Sequence, residues 1–177
     1  MKEIKTEIIN TPKQIGDLVD WLVLRHAPPE PYEPTMNPTL RVYVIDVYSL
    51  GLQTFNTTGT KGRTLKDVLE DEKIPKILFD VRNDSDALFA HFGVALQGVQ
   101  DLQLMESATR TTTSSRKYLH SLARCIEQHA LHSEELTSWK RAKEKGRRLF
   151  RSEYGGSYEI CVPASENAQC ADYFFAH

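Results

Sequence analysis

Five of the chain's eight prolines fall between residues 28 and 38: Pro28, Pro29, Pro31, Pro34 and Pro38. Proline lacks a backbone N–H and fixes φ, so the irregular segment 27–39 is excluded from helix interiors and central strands. It divides two clear patterns. Before it, Thr11 is a candidate N-cap, Pro12 suits the first helical position, and Gln14 completes a capping box. Ile15, Leu18, Val19 and Leu22 then share one helical face, and the helix is expected to end near Arg25 and His26. After it comes Leu40 to Val47 (LRVYVIDV), the strongest strand in the chain. Tyr43, Ile45 and Val47 fall on one face, with Val42, Val44 and Asp46 on the other; both are mostly apolar, which predicts cover on both sides.

The pattern then alternates. Thr64 is expected to cap a helix carrying Leu65, Val68 and Leu69. Pro75 introduces a strand from Lys76 to Phe79 or Val81. Asp84 to Phe92 reads as a helix that buries Leu88, Phe89 and Phe92 and closes at Gly93. A short strand follows around Gly98 to Asp101. Strand, helix, strand, helix, strand argues an α/β unit with a partly parallel sheet. The C-terminal half reads as helical, with Leu119, Leu122, Ala123 and Ile126 on one helix. Residues 134–152 form another, with Leu136, Trp139 and Leu149 as contacts, broken at Gly155-Gly156.

The 177 residues fit a single domain spanning 1–177, and 40% hydrophobic with 26% charged residues is ordinary globular usage. Net charge is −2, which excludes a global basic field. Locally the balance differs: Arg116 to Glu153 holds ten Lys/Arg and five Asp/Glu, densest at KRAKEKGRRLFR (Lys140 to Arg151). Such a run is either a solvated helix face or a contact to phosphates, and Lys140, Arg141, Lys143, Arg147 and Arg148 are the candidate nucleic-acid-binding residues. Trp139, Phe150 and Tyr154 lie close enough in sequence to supply stacking, or simply core. Three cysteines without Cys-x-x-Cys spacing (Cys125, Cys161, Cys170) argue against a disulfide framework and for an intracellular setting, cytoplasm or nucleus. The N-terminal MKEIKTEIINTPKQ shows no secretory signal, and no stretch approaches a membrane span, so no membrane partner is expected. Cys125 reads as a core residue. His129 and His132 are spaced to share a metal but have no evident third ligand.

The run KILFDVRNDSDALFAHFGVALQGVQDLQLMESA (Lys76 to Ala108) resembles the middle of the DEDD-type 3'-5' exonuclease domain, in its ribonuclease-D-like and Egalitarian-like branch. VYVIDVYSLG, TLKDVLEDEKIPK, LARCIEQ and KEKGRRLFRSEYGGSYEI fit the same branch, so the resemblance extends over about residues 6–172. It implies a reduced ribonuclease-H-like fold, a mixed sheet with helices on both faces. It also implies two-metal hydrolysis of phosphodiesters from 3' ends of single-stranded RNA or DNA, with Mg²⁺ or Mn²⁺ held by four acidic side chains. Asp84 matches the family's second motif, as a catalytic and metal-binding residue. A first-turn aspartate is equally well stabilised by helix amides without a metal. Asp172, in Cys170-Ala171-Asp172, stands where a shortened third motif would be and is the second catalytic and metal candidate.

The first motif, Asp-x-Glu on a strand, is absent from the sequence; Glu30 and Glu33 lie in the Pro-rich segment and form no such word. Asp46 corresponds to a non-ligand position. Asp101 is expected to end a strand and accept backbone hydrogen bonds. With two of four acids, the resemblance implies an impaired exonuclease; the alternative is a non-catalytic module binding RNA or a protein partner. The abrupt loss between clean family words reads either as divergence, with the remaining strands pairing directly, or as a truncated product.

Overall fold

The computed structural model describes residues 5–25, 41–129 and 133–155. Strand β1 (Lys5–Ile9) leads into helix α1 (Pro12–Arg25), then strand β2 (Arg41–Ile45). Three short helices follow: α2 (Val47–Leu50), α3 (Gln53–Asn56) and α4 (Leu65–Glu70). Next come β3 (Lys76–Leu78), α5 (Arg82–Phe92), β4 (Val99–Asp101) and α6 (Leu102–Thr109). The chain continues with α7 (Leu122–His129), α8 (Ser133–Phe150) and a 3₁₀ turn (Ser152–Tyr154). The fold is α/β.

Local chemistry sets the helix ends. The Gln14 carboxamide oxygen accepts the Thr11 N–H at 3.0 Å, while the Gln14 N–H donates to the Thr11 hydroxyl at 3.3 Å. Thr64 and Asp67 form the same reciprocal box at the start of α4. Gly93 closes α5 in the left-handed conformation, its N–H reaching the carbonyls of Leu88 and Phe89.

Four strands pair directly in two parallel ladders. β1 runs beside β2 from Lys5↔Arg41 to Ile9↔Ile45, and β3 beside β4 from Lys76↔Val99 to Leu78↔Asp101. Among the described residues both ladders are parallel, and no ladder joins one pair to the other. A single apolar core ties them together. Ile9, Ile15, Leu18, Val19, Leu50, Phe55, Leu65, Val68, Ile74 and Val94 are buried in it. Tyr43 and Ile45 of β2, and Leu88 and Phe92 of α5, pack against its rim.

Several expectations need correction. β1 has no counterpart in the sequence reading. Its KTEII pattern is too polar to stand out and becomes a strand by pairing with β2. Among the described residues Tyr43 and Ile45 of β2 pack against the core, and Val42 to Ile45 are all half-buried. The strand stops at Ile45 because the Asp46 side chain accepts the Ser49 N–H at 3.0 Å and starts α2. Phe89 is 64% exposed. It lies about 100° around the helix from Leu88, outside the stripe shared by Leu88 and Phe92. Leu119 precedes α7 rather than lying on it. Leu136 and Trp139 are half-buried on α8, as expected, while the side chain of Leu149 lies outside the described ones.

Candidate functional site

Asp84 sits in the first turn of α5, its carboxylate exposed at the positive end of the helix dipole. The loop that delivers it is held from β4. The Asp101 carboxylate accepts the N–H groups of Asp80 at 3.1 Å, Val81 at 3.4 Å and Gln103 at 2.8 Å. The Gln103 bond also caps α6. Burial pushes the Asp101 carboxyl up, but the N–H donors of Asp80, Gln103, Val81 and Leu104 outweigh burial and hold it below its usual value. Asp101 is therefore the structural carboxylate the sequence suggested, and it fixes the loop that precedes Asp84. Asp80 is the non-glycine residue with positive φ among those described, at 54°. That cost of about 1–2 kcal/mol is offset by its N–H bond to Asp101 and by the Arg82 guanidinium on its carboxylate at 2.6 Å.

Asp172, Glu30 and Glu33 lie outside the described residues, as do His132 and the side chain of His129. Asp46 caps α2. Among the described residues, Asp84 belongs to no group of three potential metal ligands. A centre for two divalent ions, whose mutual repulsion demands several acids, is not assembled at Asp84 by the described residues alone.

The five basic candidates all lie on α8. Leu136, Trp139, Ala142 and Gly146 form the side turned toward the protein, which leaves Lys140, Arg141, Arg147 and Arg148 exposed. Lys140 bonds Glu127 of α7 at 2.7 Å. Arg147 and Arg148 converge on Glu144, at 3.7 and 3.4 Å, both more than half exposed. Such surface pairs are worth about 0–1 kcal/mol, so the guanidinium groups remain available to a stronger anion. Two cations cover aromatic rings: Lys143 over Trp139 at 5.0 Å and Arg148 over Tyr154 at 5.3 Å. Basic groups of α8 thus lie beside Trp139 of the same helix and Tyr154 of the 3₁₀ turn that follows it.

The α/β fold carries two parallel strand pairs, with the loop before Asp84 slung between β3 and α5. The family model for 3'-5' exonuclease matches residues 37–150, and the chain belongs to that family. It is similar to the piRNA biogenesis protein EXD1 of Mus musculus, at 36% identity over 66 residues, 37% of this chain and 10% of that protein. Among solved structures it resembles Trypanosoma brucei RNase D. The GMP complex gives a TM-score of 0.57 at 20% identity, covering 80% of this chain and 47% of that one. The complex with RNA U12 gives 0.58 at 16% identity, covering 99% and 61%. The chain therefore spans less than two thirds of these relatives, and the structural likeness establishes the ribonuclease-D-like fold. The EXD2 exonuclease domain, from a crystal soaked in Mn and Mg, is 15% identical over 91% of this chain and 99% of its own, with a TM-score of 0.37.

Proposed function

We propose that this 3'-5' exonuclease domain binds single-stranded nucleic acid through α8 and is impaired in hydrolysing it. The observation that carries the reading is the isolation of Asp84: the loop and helix that present it are intact, yet it joins no ligand group among the described residues. The sequence holds no Asp-x-Glu to complete the pair. At most one Mg²⁺ or Mn²⁺ is expected at Asp84, with Asp172 as the other carboxylate proposed to contribute. RNA binding by the trypanosome relative supports the choice of ligand class. The sparse cysteines and the absence of a spanning helix among the described residues suit an intracellular protein, in cytoplasm or nucleus.

The test is an assay on 5'-labelled single-stranded RNA and DNA with Mn²⁺, Mg²⁺ or EDTA, beside binding by fluorescence anisotropy. The expected outcome is binding without a metal-dependent ladder. A ladder shortening from the 3' end, lost in Asp84→Ala, would overturn impairment and mean that other residues complete the metal site. For binding, Lys140, Arg147 and Arg148 changed together to alanine should lower the slope of log K against log[salt] by about 2, at ~0.7 per phosphate contact. An unchanged slope removes α8 from the interface.

A further inference from the structure

A second constellation lies away from Asp84, between α6 and α7. Glu106 of α6, His120 of the connecting loop and Cys125 of α7 bring a carboxylate oxygen, an imidazole nitrogen and a thiol within 4.8 Å of one another. Among the described residues it is the group with that property. We propose that Glu106, His120 and Cys125 form a zinc site that clips the α6–α7 loop.

Four observations argue for it. First, spacing: His120 Nδ1 lies 3.4 Å from Glu106 Oε1. Two ligands of a tetrahedral zinc stand roughly 3.3–3.6 Å apart, so this pair is already placed, and Cys125 Sγ lies within 4.8 Å of both. Second, His120 Nδ1 is buried and, beyond that contact with Glu106, makes no well-directed hydrogen bond among the described residues. A buried imidazole nitrogen so poorly satisfied is costly, and a metal is one way to satisfy it. Third, the Glu106 carboxylate is held in place. Arg110 donates from Nε to Oε1 at 3.0 Å and from Nη2 to Oε2, and its other nitrogen binds the carbonyls of Ser115 and Tyr118 at 2.6 and 2.7 Å. Each carboxylate oxygen has two lone pairs, so Oε1 can serve both Arg110 and a metal. Such outer partners orient metal ligands. Fourth, Gln103 Nε2 donates to the His120 carbonyl at 2.9 Å, which fixes the imidazole's backbone against α6.

The donor set selects the ion. Thiolate and imidazole suit the borderline-soft Zn²⁺, whereas Mg²⁺ and Mn²⁺ prefer oxygen alone. Three protein ligands leave a fourth position for water. Burial, followed by the charge of Glu106, pushes the Cys125 thiol up, so without metal it carries its proton; as the sulfur–zinc bond forms, that proton passes to solvent. Arg110 opposes the ion's charge, leaving one net positive charge once thiolate and carboxylate are bound. The site is accordingly expected to be weaker than an all-thiolate one.

The experiment is a Co²⁺ titration of the full chain in excess Mg²⁺, followed by Zn²⁺ competition, in a Cys161→Ser/Cys170→Ser background. The expected result is one Co²⁺ per chain, with a sulfur-to-cobalt charge-transfer band that Zn²⁺ abolishes. Cys125→Ser should lose the band, and His120→Asn or Glu106→Gln should weaken binding on the order of 100-fold. No charge-transfer band in excess Co²⁺, or a band unchanged in Cys125→Ser, overturns the site. If circular dichroism shows that Cys125→Ser does not fold, unchanged affinity in both of the other variants overturns it instead. None of these readouts depends on whether the chain hydrolyses nucleic acid.

Discussion

Removing the Asp101 carboxylate should loosen the loop that presents Asp84, by an amount the geometry bounds. The Gln103 N–H bond at 2.8 Å is a helix cap, worth about 1 kcal/mol. The Asp80 bond at 3.1 Å is charge-assisted and adds roughly 1.5 kcal/mol, reduced because water reaches the half-buried carboxylate. The Val81 contact, at 3.4 Å, is near the limit of a hydrogen bond and adds little. Asp101→Ala is therefore expected to cost about 2–3 kcal/mol and to lower Tm by roughly 5–10 °C for a chain of this size. Asp101→Asn keeps Oδ1, which serves both short bonds, but not the charge, and should lose about half as much.

The pH dependence gives the sign. The folded state holds Asp101 below its usual value, so its contribution is complete above the unfolded pKa, about 3.9, and disappears as pH falls through the lower folded value. The gap between wild type and Asp101→Ala should be flat from about pH 5 to 7 and should close below about pH 4. Urea denaturation followed by circular dichroism, at pH 7 and again at pH 3–4, measures both quantities. A variant within about 0.5 kcal/mol of wild type at pH 7, or a gap that widens on acidification, refutes the account of Asp101 as the loop's anchor.

Two further substitutions test the packing. Gly98 has φ +64°, and a Cβ there would stand 2.7 Å from the Glu72 carbonyl oxygen and 2.9 Å from that of Ile74. Gly98→Ala should cost about 2–3 kcal/mol in urea denaturation, since backbone rather than side chain must yield; a change below 1 kcal/mol, on the same scale, would show that the turn relaxes freely. Thr54 is fully buried, with a hydroxyl that makes no hydrogen bond among the described residues. Thr54→Val keeps the shape and removes the unmet polar atom, so it should be neutral or stabilise by about 1 kcal/mol; a clear loss would reveal a hydrogen-bond partner for the hydroxyl.

How much of this was legible in the sequence depended on whether the deciding interaction was local. Thr11 with Gln14, Thr64 with Asp67, and Gly93 after Phe92 act within a few residues, and each element end they signal is found. β1 was missed because its strand character comes from a partner 36 positions away, Lys5 against Arg41. The burial of Phe89 was misjudged because which stripe of α5 meets the core is set by α3 and α4, through contacts such as Phe92 against Phe55 at 4.5 Å. The Glu106–His120–Cys125 group was missed for a related reason. The three residues span 20 positions, and their approach depends on the loop that Arg110 closes.

The same division between local and distant determinants bears on why Asp84 keeps its setting without a first motif. In a sheet whose central strand carried the other acids, the Asp84 loop would be expected to lean on that strand. Here it leans on β4. The Asp101 carboxylate, the β3–β4 register from Lys76↔Val99 to Leu78↔Asp101, and the turn at Gly98 are contained within residues 76–103. Of the buried core residues near it in sequence, Leu65 and Val68 lie on α4, Ile74 on the loop into β3 and Val94 just after α5, while Phe55 of α3 packs on Phe92 from farther away. The second-motif loop is thus a locally determined unit, able to keep its geometry whether or not other acids face it. Selection for catalysis is not required to preserve it; folding is enough. An intact Asp84 loop therefore says that the family fold persists, and only a metal-dependent ladder from a 3' end says that the chemistry does.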